Sequence, residues 1–408
     1  MNQFSKFSII LLLSLLVIGG LFRVIGFSET WELWNIPLKE LNFADVRVIT
    51  HGADAIAAGK DPLVENIGDP WGRQLNYPRI WQLLYLTGLS EEDTNLFGVT
   101  LISLFLSGIL IFVSKLRSTK AVIFIPLLLS PAIMLGIERG NTDLLIFFLL
   151  SLSIFFVEKR VWISILPIIL ASVLKLYPIL ALSVFFGHEK KKALTIILIS
   201  MSIMALYCFA TLSDILLIKE STLKGILYSH GAWVFENLVS KIHEPWQYYA
   251  KILTVGLIAF VGVRLIYVLK KRIPIISDEQ NTTELNAFRL GSSIFVGTFL
   301  LGINWDYRLM FWLFTVPQLL NWSENSTRGL SRQAIATLIF MAISLWSMVL
   351  FRYSEGISYG SLIAFGTNEF ADWFVFASLL FLFTRSLPEW VFEIFGSLQK
   401  ILRKQQSR

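Results

Sequence analysis

The amino-acid sequence predicts an all-α fold: a polytopic transmembrane helical bundle over residues 1–386, followed by an interfacial basic tail over 387–408. Three observations predict it. The 408 residues are 55% hydrophobic and only 16% charged, with a mean hydropathy of +0.66; a soluble domain carries about 25% charged residues. Apolar runs recur along almost the whole chain, separated by short polar turns. Basic residues gather in every second turn, as positive charge does on the inner side of a membrane. The formal net charge of +6 therefore reports orientation rather than a nucleic-acid partner, and membrane lipids are the expected surroundings.

The first apolar run, 7–21, follows Lys6. It has the outline of a signal peptide, but no small-x-small cleavage site comes after it. FRVIGFSETW reads instead as an uncleaved anchor leading outward. The first outer loop, 23–79, contains most of the only long polar insertion near the front of the chain, residues 41–85. Within it a helix is predicted over 44–58. Val46, Val48, Ile49, Gly52, Ala53 and Ile56 form an apolar side, and Arg47, His51 and Asp54 lie opposite. Gly59, with Asp61 and Pro62 beyond it, stops the helix. Asp45 falls on the apolar side. A carboxylate aimed there loses hydration and must be paired or have a task; the alternative is that Asp45 is simply the helix N-cap.

The remaining apolar runs are 96–114, 121–137, 144–157, 161–186, 193–212, 249–269, 290–303, 309–322, 334–351 and 370–383. Several fall short of the ~20 residues a straight span needs. Such helices require protein neighbours or a wet cavity to satisfy their backbone. The predicted inner turns hold Lys115, Arg117 and Lys120; Lys159 and Arg160; Lys190, Lys191 and Lys192; Lys270, Lys271 and Arg272; and Arg328 and Arg332. The pattern closes if 161–186 crosses twice, with LKLYP as the turn of a hairpin and Pro178 opening its second helix. That gives about 12 crossings with both termini inside, hence cytoplasmic in a bacterial inner membrane. The polar, aromatic-rich turns 23–77, 138–143, 213–247, 304–308 and 352–369 then share the outer side. In the tail, apolar residues alternate with basic ones such as Lys400, Arg403, Lys404 and Arg408, which suits a helix lying on an anionic leaflet.

The single cysteine, Cys208, excludes an intramolecular disulfide and a cysteine metal cluster. His51, His188, His230 and His243 sit at no metal-ligand spacing. Neither a metal nor a cofactor is expected.

The outer turns carry the candidate chemistry. Lys175 stands in the middle of an apolar hairpin, where a cation is costly and usually functional or paired; with Tyr177 it otherwise snorkels to the interface. ERGNTD (138–143) and NWDYR (304–308) each set an arginine beside carboxylates at a helix start. Asp143 and Asp306 can cap those helices while Arg139 and Arg308 pair locally. Alternatively, Arg139, Arg308 and Lys175 converge on a phosphate group. With Asp45, His51, Asp54, Tyr77, Asn141, Tyr177 and Asp306, these residues make a candidate site of one carboxylate base and several cations. Transfer of a sugar from a lipid phosphate needs those groups: a base for the acceptor hydroxyl, and cations for the leaving phosphate. A transporter or flippase of a lipid-linked saccharide would also use an intramembrane cation, but it predicts internal repeats, and the sequence has none.

Five segments, in order from 43 to 313, resemble one known family. FADVRVITHGADAIAAGKDPL resembles the first-loop pattern of membrane glycosyltransferases of the GT-C fold, in particular glycosyltransferase family 87, the polyprenyl-phosphate-mannose-dependent mannosyltransferases. NYPRIWQLLY is similar to that family's Tyr-Pro-Pro segment, and ERGNTDLLIFFLL to its Gly-Gln-x-Asn helix start. SVLKLYPILAL resembles its lysine–Tyr–Pro break, and NWDYRLMFWL its Tyr-Asp-Tyr-Arg turn. The resemblance implies a membrane-helix bundle with amphipathic helices in the first outer loop, and an inverting hexosyl transfer. It implies a polyprenyl-phosphate-linked sugar donor and a glycan or lipid acceptor, with Asp45 as catalytic base and Lys175, Arg139 and Arg308 as donor-phosphate contacts. This chain departs from the pattern in three places. Asp45-Val46-Arg47 is not an Asp-x-Asp pair, so a metal ion is not implied. Arg79 replaces the second proline, and ENLVSKI matches the family's Asn-Gln-Ser segment only loosely.

Overall fold

The computed structural model describes residues 3–116, 121–271, 282–354 and 357–394. Their regular secondary structure is helical apart from one two-stranded ladder and an isolated bridge between Ile226 and Tyr228. The N-terminal part comprises α1 (Gln3–Val24), α2 (Phe27–Leu33), α3 (Ala44–Ala57), α4 (Thr94–Ser114), the bent pair α5 (Ala121–Leu128) and α6 (Pro131–Arg139), α7 (Asp143–Val157) and α8 (Val161–Leu174). Then come α9 (Lys190–Ala210), α10 (Leu212–Ser221), α11 (Val234–Ile242), α12 (Gln247–Lys271), α13 (Thr283–Leu301), α14 (Val316–Asn325), α15 (Arg328–Leu345), α16 (Ser347–Ser354) and α17 (Gly360–Arg385). Three long 3-10 helices, Arg79–Thr87, Tyr177–Gly187 and Asp306–Phe314, lie between them. The strands β1 (Ser229–His230) and β2 (Asn304–Trp305) pair antiparallel, Ser229 opposite Trp305 and His230 opposite Asn304.

Membrane character is plain on the outer helices. α1, α9 and α12 expose Leu12, Leu13, Leu16, Val17, Leu198, Leu206, Phe209, Phe260 and Val263, as a lipid-facing surface does and a soluble one does not. The predicted count of about 12 crossings is not met. Four helices, Phe4–Val24, Glu91–Ser114, Lys190–Ala210 and Glu244–Tyr267, are long and apolar enough to span. Two bent pairs, broken by 47° after Leu128 and by 52° after Leu345, raise the number to six at most. The reason is length. α7 and α8 have 15 and 14 residues, about 21–23 Å at 1.5 Å per residue, against a hydrocarbon core of about 30 Å. The hydrophobicity of α7 serves burial instead, since Leu144, Ile146, Phe147, Leu150 and Ile154 are all interior.

Aromatic contacts hold this interior together. Phe147 of α7 stacks on Phe314 with ring centroids 4.3 Å apart and meets Phe105 of α4 edge-on at 5.0 Å. Phe299 of α13 stacks on Phe376 of α17 at 4.6 Å. Such pairs contribute about 0.5–1.5 kcal/mol each beyond area burial. The predicted break in 161–186 is present: α8 ends at Leu174, and Tyr177–Gly187 follows with Pro178 in its first turn. α3 ends as the sequence predicts, with Gly59 at φ +74° and the Lys60 N–H donating to the Ala55 carbonyl at 2.9 Å. At the start of the predicted tail, Leu387 and Val391 are buried, and Trp390 meets Phe186 at 5.9 Å. Lys400, Arg403, Lys404 and Arg408 lie outside the described residues.

Candidate active site

The site is built where α3 begins. Phe43 precedes α3 with φ 55° and is its N-cap, a left-handed conformation that costs a non-glycine residue about 1–2 kcal/mol. Two glycines make room for it. A Cβ on Gly98 would come within 2.5 Å of the Phe43 ring, and one on Gly140 within 2.8 Å of Val46 Cγ2 and 3.1 Å of Phe43. Gly140 itself ends α6 at φ +59°. The chain is thereby clamped between α4 and α6, and the helix starts with Asp45 at its second position. Asp45 is therefore not the N-cap, and its carboxylate makes no capping bond. It leaves the helix for other partners.

Those partners come from distant segments. Asp45 Oδ2 accepts a hydrogen bond from Asn141 Nδ2 at 2.5 Å. Asp45 Oδ1 lies 3.9 Å from Arg73 Nη1, and the side chain keeps 21% of its surface exposed on the wall of a cavity of about 1870 Å³. Asn141 Oδ1 in turn accepts from Lys175 Nζ at 3.0 Å and from the Asp143 N–H at 2.9 Å. Asp143 is fully buried. Its Oδ1 accepts from Lys175 Nζ at 2.6 Å and from the Tyr177 hydroxyl at 2.7 Å, and its Oδ2 accepts from Arg308 Nε at 3.3 Å. Arg308 also donates to Asn304 Oδ1 and lies over the Tyr177 ring, 4.4 Å from its centroid. Lys175 Nζ lies 5.2 Å from the Tyr77 ring centroid. One continuous polar chain thus runs Asp45–Asn141–Lys175–Asp143–Arg308. Lys175 is neither an interfacial snorkel nor an isolated cation, and Asp143 is a shared counter-ion rather than a helix cap.

The electrostatics follow from this sharing. Two cations against the single carboxylate of Asp143 leave one surplus positive charge next to the Asp45 carboxylate. Burial works against the Arg308 charge, but the Asp143 carboxylate outweighs it and pushes its pKa up. Burial, reinforced by the Asp45 and Asp143 carboxylates, raises the Tyr77 phenol well above its ordinary value. Tyr77 thus stays a neutral phenol beside two carboxylates.

Two further arginines shape the cavity. Arg73, which the sequence reading passed over, is held by the fully buried side chain of Asp69 through Nη2 to Oδ1 at 2.8 Å and Nε to Oδ2 at 3.1 Å. It donates through Nη2 to the Ala44 carbonyl at 2.7 Å and stacks 4.5 Å over the Trp71 ring. The only available signal was the turn DPWGR, whose aspartate also binds its own backbone at Trp71 and Arg73 at 3.1 and 2.8 Å. Arg79 joins the first loop to α10: its Nε and Nη2 reach Asp214 at 2.9 and 3.0 Å, and its Nη2 reaches Asp61 at 3.0 Å.

Not every predicted site residue reaches this centre. Arg139 is on the cavity wall, but its Nη2 donates to the Pro37 carbonyl at 2.5 Å and its Nε pairs with Glu138 at 3.2 Å. His51 is buried behind α3, 3.7 Å from Glu91 and 3.9 Å from Asp54. Asp54 accepts from the Glu91 N–H at 3.1 Å. Both therefore brace the entry to α4. Asp306 is fully buried off the cavity wall, with its Oδ1 3.3 Å from His230 Nδ1 across the β1–β2 ladder. Burial pushes Asp306 well up and His230 down to about 3.

Among the described residues no group of three or more His, Cys, Asp or Glu could hold a metal ion. Chemically, the cavity presents the Asp45 carboxylate with one oxygen held by an amide and the other 3.9 Å from a guanidinium, joined through Asn141 to the Lys175–Asp143–Arg308 cluster. No family model, curated protein or solved structure matches this chain.

Proposed function

We propose that the chain is an integral-membrane glycosyltransferase of GT-C type. It moves a hexose, mannose in the family it resembles, from a polyprenyl-phosphate donor to a glycan or lipid acceptor at the extracytoplasmic face of a bacterial inner membrane. An acceptor hydroxyl in the cavity gives its proton to Asp45 Oδ1. Its oxygen attacks the anomeric carbon from the side opposite the phosphate, and the C–O bond to phosphate breaks with inversion. The electron pair leaves on the phosphate, where Lys175 and Arg308 offset the added charge. Asn141 holds the base, and Tyr177 and Asp143 fix the two cations.

One observation carries this reading: Asp45 lines the cavity while its Oδ2 is tied, through Asn141, to the Lys175–Asp143–Arg308 cluster. The test is sugar transfer from a labelled polyprenyl-phosphate hexose by the protein in nanodiscs. Asp45→Asn should abolish transfer while the protein remains folded and inserted. Undiminished transfer by that variant, or movement of a lipid-linked saccharide across liposomes without any transfer, would refute the proposal.

A further inference from the structure

The cavity is larger than one substrate requires. Pockets for drug-sized ligands measure about 300–1,000 Å³, and this one measures about 1870 Å³. Asp45, Lys175 and Arg308 line one part of its wall. Another part is formed by α10, the stretch 222–224, α11 and the first turns of α12, which contribute Lys219, Lys224, Asn237, Gln247 and Lys251.

The cations of these two parts differ in kind. Arg73, Lys175, Arg79 and Arg308 each have a carboxylate oxygen at 2.8, 2.6, 2.9 and 3.3 Å respectively. Among the described residues no carboxylate lies within 4.0 Å of Lys219, Lys224 or Lys251. Three carboxylates share that wall, and Arg79 holds one of them, Asp214, at 2.9 Å. Glu236 already accepts from Gln247 Nε2 at 2.8 Å, and Glu220 adjoins Lys219. Three ammonium groups, from α10, the stretch 222–224 and α12, line a wall on which Glu220 and Glu236 are the carboxylates with no cation within 4.0 Å among the described residues. A compact ammonium group suits a phosphate or carboxylate as a point charge.

The same part marks the level of the membrane surface. Trp246, Tyr248 and Tyr249 are strongly exposed where the span of α12 begins, the position such residues take at a lipid–water boundary. Leu223, Leu227 and Ile242 are exposed beside them. A lipid headgroup lies at the depth of this wall.

We infer that this part of the cavity is the acceptor subsite, and that it takes an acceptor whose phosphate- or carboxylate-bearing headgroup is carried on a lipid. The inference rests on the glycosyltransferase reading for the word acceptor, but not for the anion. Binding is measured by native mass spectrometry on the full chain, presented with phosphatidylglycerol or phosphatidylcholine. The protein should retain phosphatidylglycerol in preference. The triple variant Lys219→Gln/Lys224→Gln/Lys251→Gln should lose at least about tenfold of that retention. Lys190→Gln, at the far end of α9, should lose none. Equal retention of the two lipids, or an unchanged triple variant, overturns the site. Displacement of the lipid by free glycerol phosphate overturns its lipid-borne character.

A transfer assay then separates this claim from the one beneath it. The triple variant should raise KM for an anionic glycolipid acceptor several-fold, with kcat and the KM for a neutral alkyl glycoside unchanged. Asp45→Asn should stop transfer with lipid retention intact. If anion retention behaves as stated and no preparation transfers sugar, the enzyme reading falls and the anion site stands. If transfer occurs but anionic and neutral acceptors respond alike to the triple variant, the acceptor assignment falls.

Discussion

Asn141 is the joint on which the proposed mechanism turns, so Asn141→Ala is its most informative perturbation. The change removes the Nδ2 donor 2.5 Å from Asp45 Oδ2 and the Oδ1 acceptor 3.0 Å from Lys175 Nζ. A hydrogen bond to a charged group contributes about 1.5–3 kcal/mol. Losing the one that aims Asp45 therefore lowers kcat by about 10–100-fold, at about 1.36 kcal/mol per decade. Lys175 retains Asp143 at 2.6 Å, so the cation stays in place and KM for the donor moves little. Stability falls by about 1–3 kcal/mol, because the buried Asp143 N–H loses its acceptor. The assay is initial-rate transfer from a labelled polyprenyl-phosphate hexose in nanodiscs, with thermal unfolding followed in parallel. A folded Asn141→Ala protein with wild-type kcat would show that the position of Asp45 does not matter, and the base assignment would fail with it.

Other outcomes follow from the same geometry. Gly140→Ala should destabilise by about 2–4 kcal/mol, from a left-handed φ and contacts of 2.8 Å with Val46 and 3.1 Å with Phe43; it should depress transfer through the displaced Phe43, as read by melting temperature and rate. Arg79→Gln should loosen α10 from the first loop, detected as faster amide exchange over 212–221, with the exchange of α7 unchanged. Burial raises the Asp61 carboxyl, but Arg79 and the Leu63 N–H outweigh it and hold its pKa below 3.8. A lowered acid stabilises above its unfolded value and loses that contribution as pH falls through the folded one. The Arg79–Asp61 contact should therefore persist at neutral pH and weaken below about pH 4, so the stability difference between wild type and Arg79→Gln should narrow in acid. His230 and Asp306 give an opposed pair. In the folded chain they hold one proton between them, and between about pH 4 and 6.5 the unfolded chain also holds one, on the histidine. Their net contribution is flat across that window. Asp306→Asn should unmask the histidine, so that stability falls with acid by up to about 1.36 kcal/mol per pH unit below 6.5. A flat chemical-denaturation profile for that variant would contradict the pairing.

Some of this architecture was legible in the residues because it is local. The 3.6-residue pattern of 44–58 and the Gly59 stop define α3 to within a residue, and the proline in LKLYP marks the break after α8. The apolar runs were equally legible, but their fate was not. Hydrophobicity alone does not separate a helix wrapped by protein, like α7, from one wrapped by lipid, like α9, and counting both as spans overestimates the crossings. Pairings are hidden for a related reason. Arg308 and Asp143 meet across 165 positions, and Arg73 reaches the Ala44 carbonyl across 29. Charge spacing along the chain carries no trace of either, so local caps and pairs were natural alternatives. His51 and Asp54 show the converse. Polar residues on the outer face of α3 suggested a site, while packing against Glu91 gives them a structural task.

The three long 3-10 segments have a mechanical consequence. Arg79, Tyr177 and Arg308 each stand in the first turn of one of them, although such winding seldom persists beyond 3–4 residues. At about 2.0 Å of rise against 1.5 Å for an α-helix, rewinding the nine residues of Asp306–Phe314 would draw its leading end back by about 4–5 Å. That stroke exceeds a hydrogen bond's reach. It would part the Arg308 guanidinium from Asp143 and so open the polar chain that begins at Asp45.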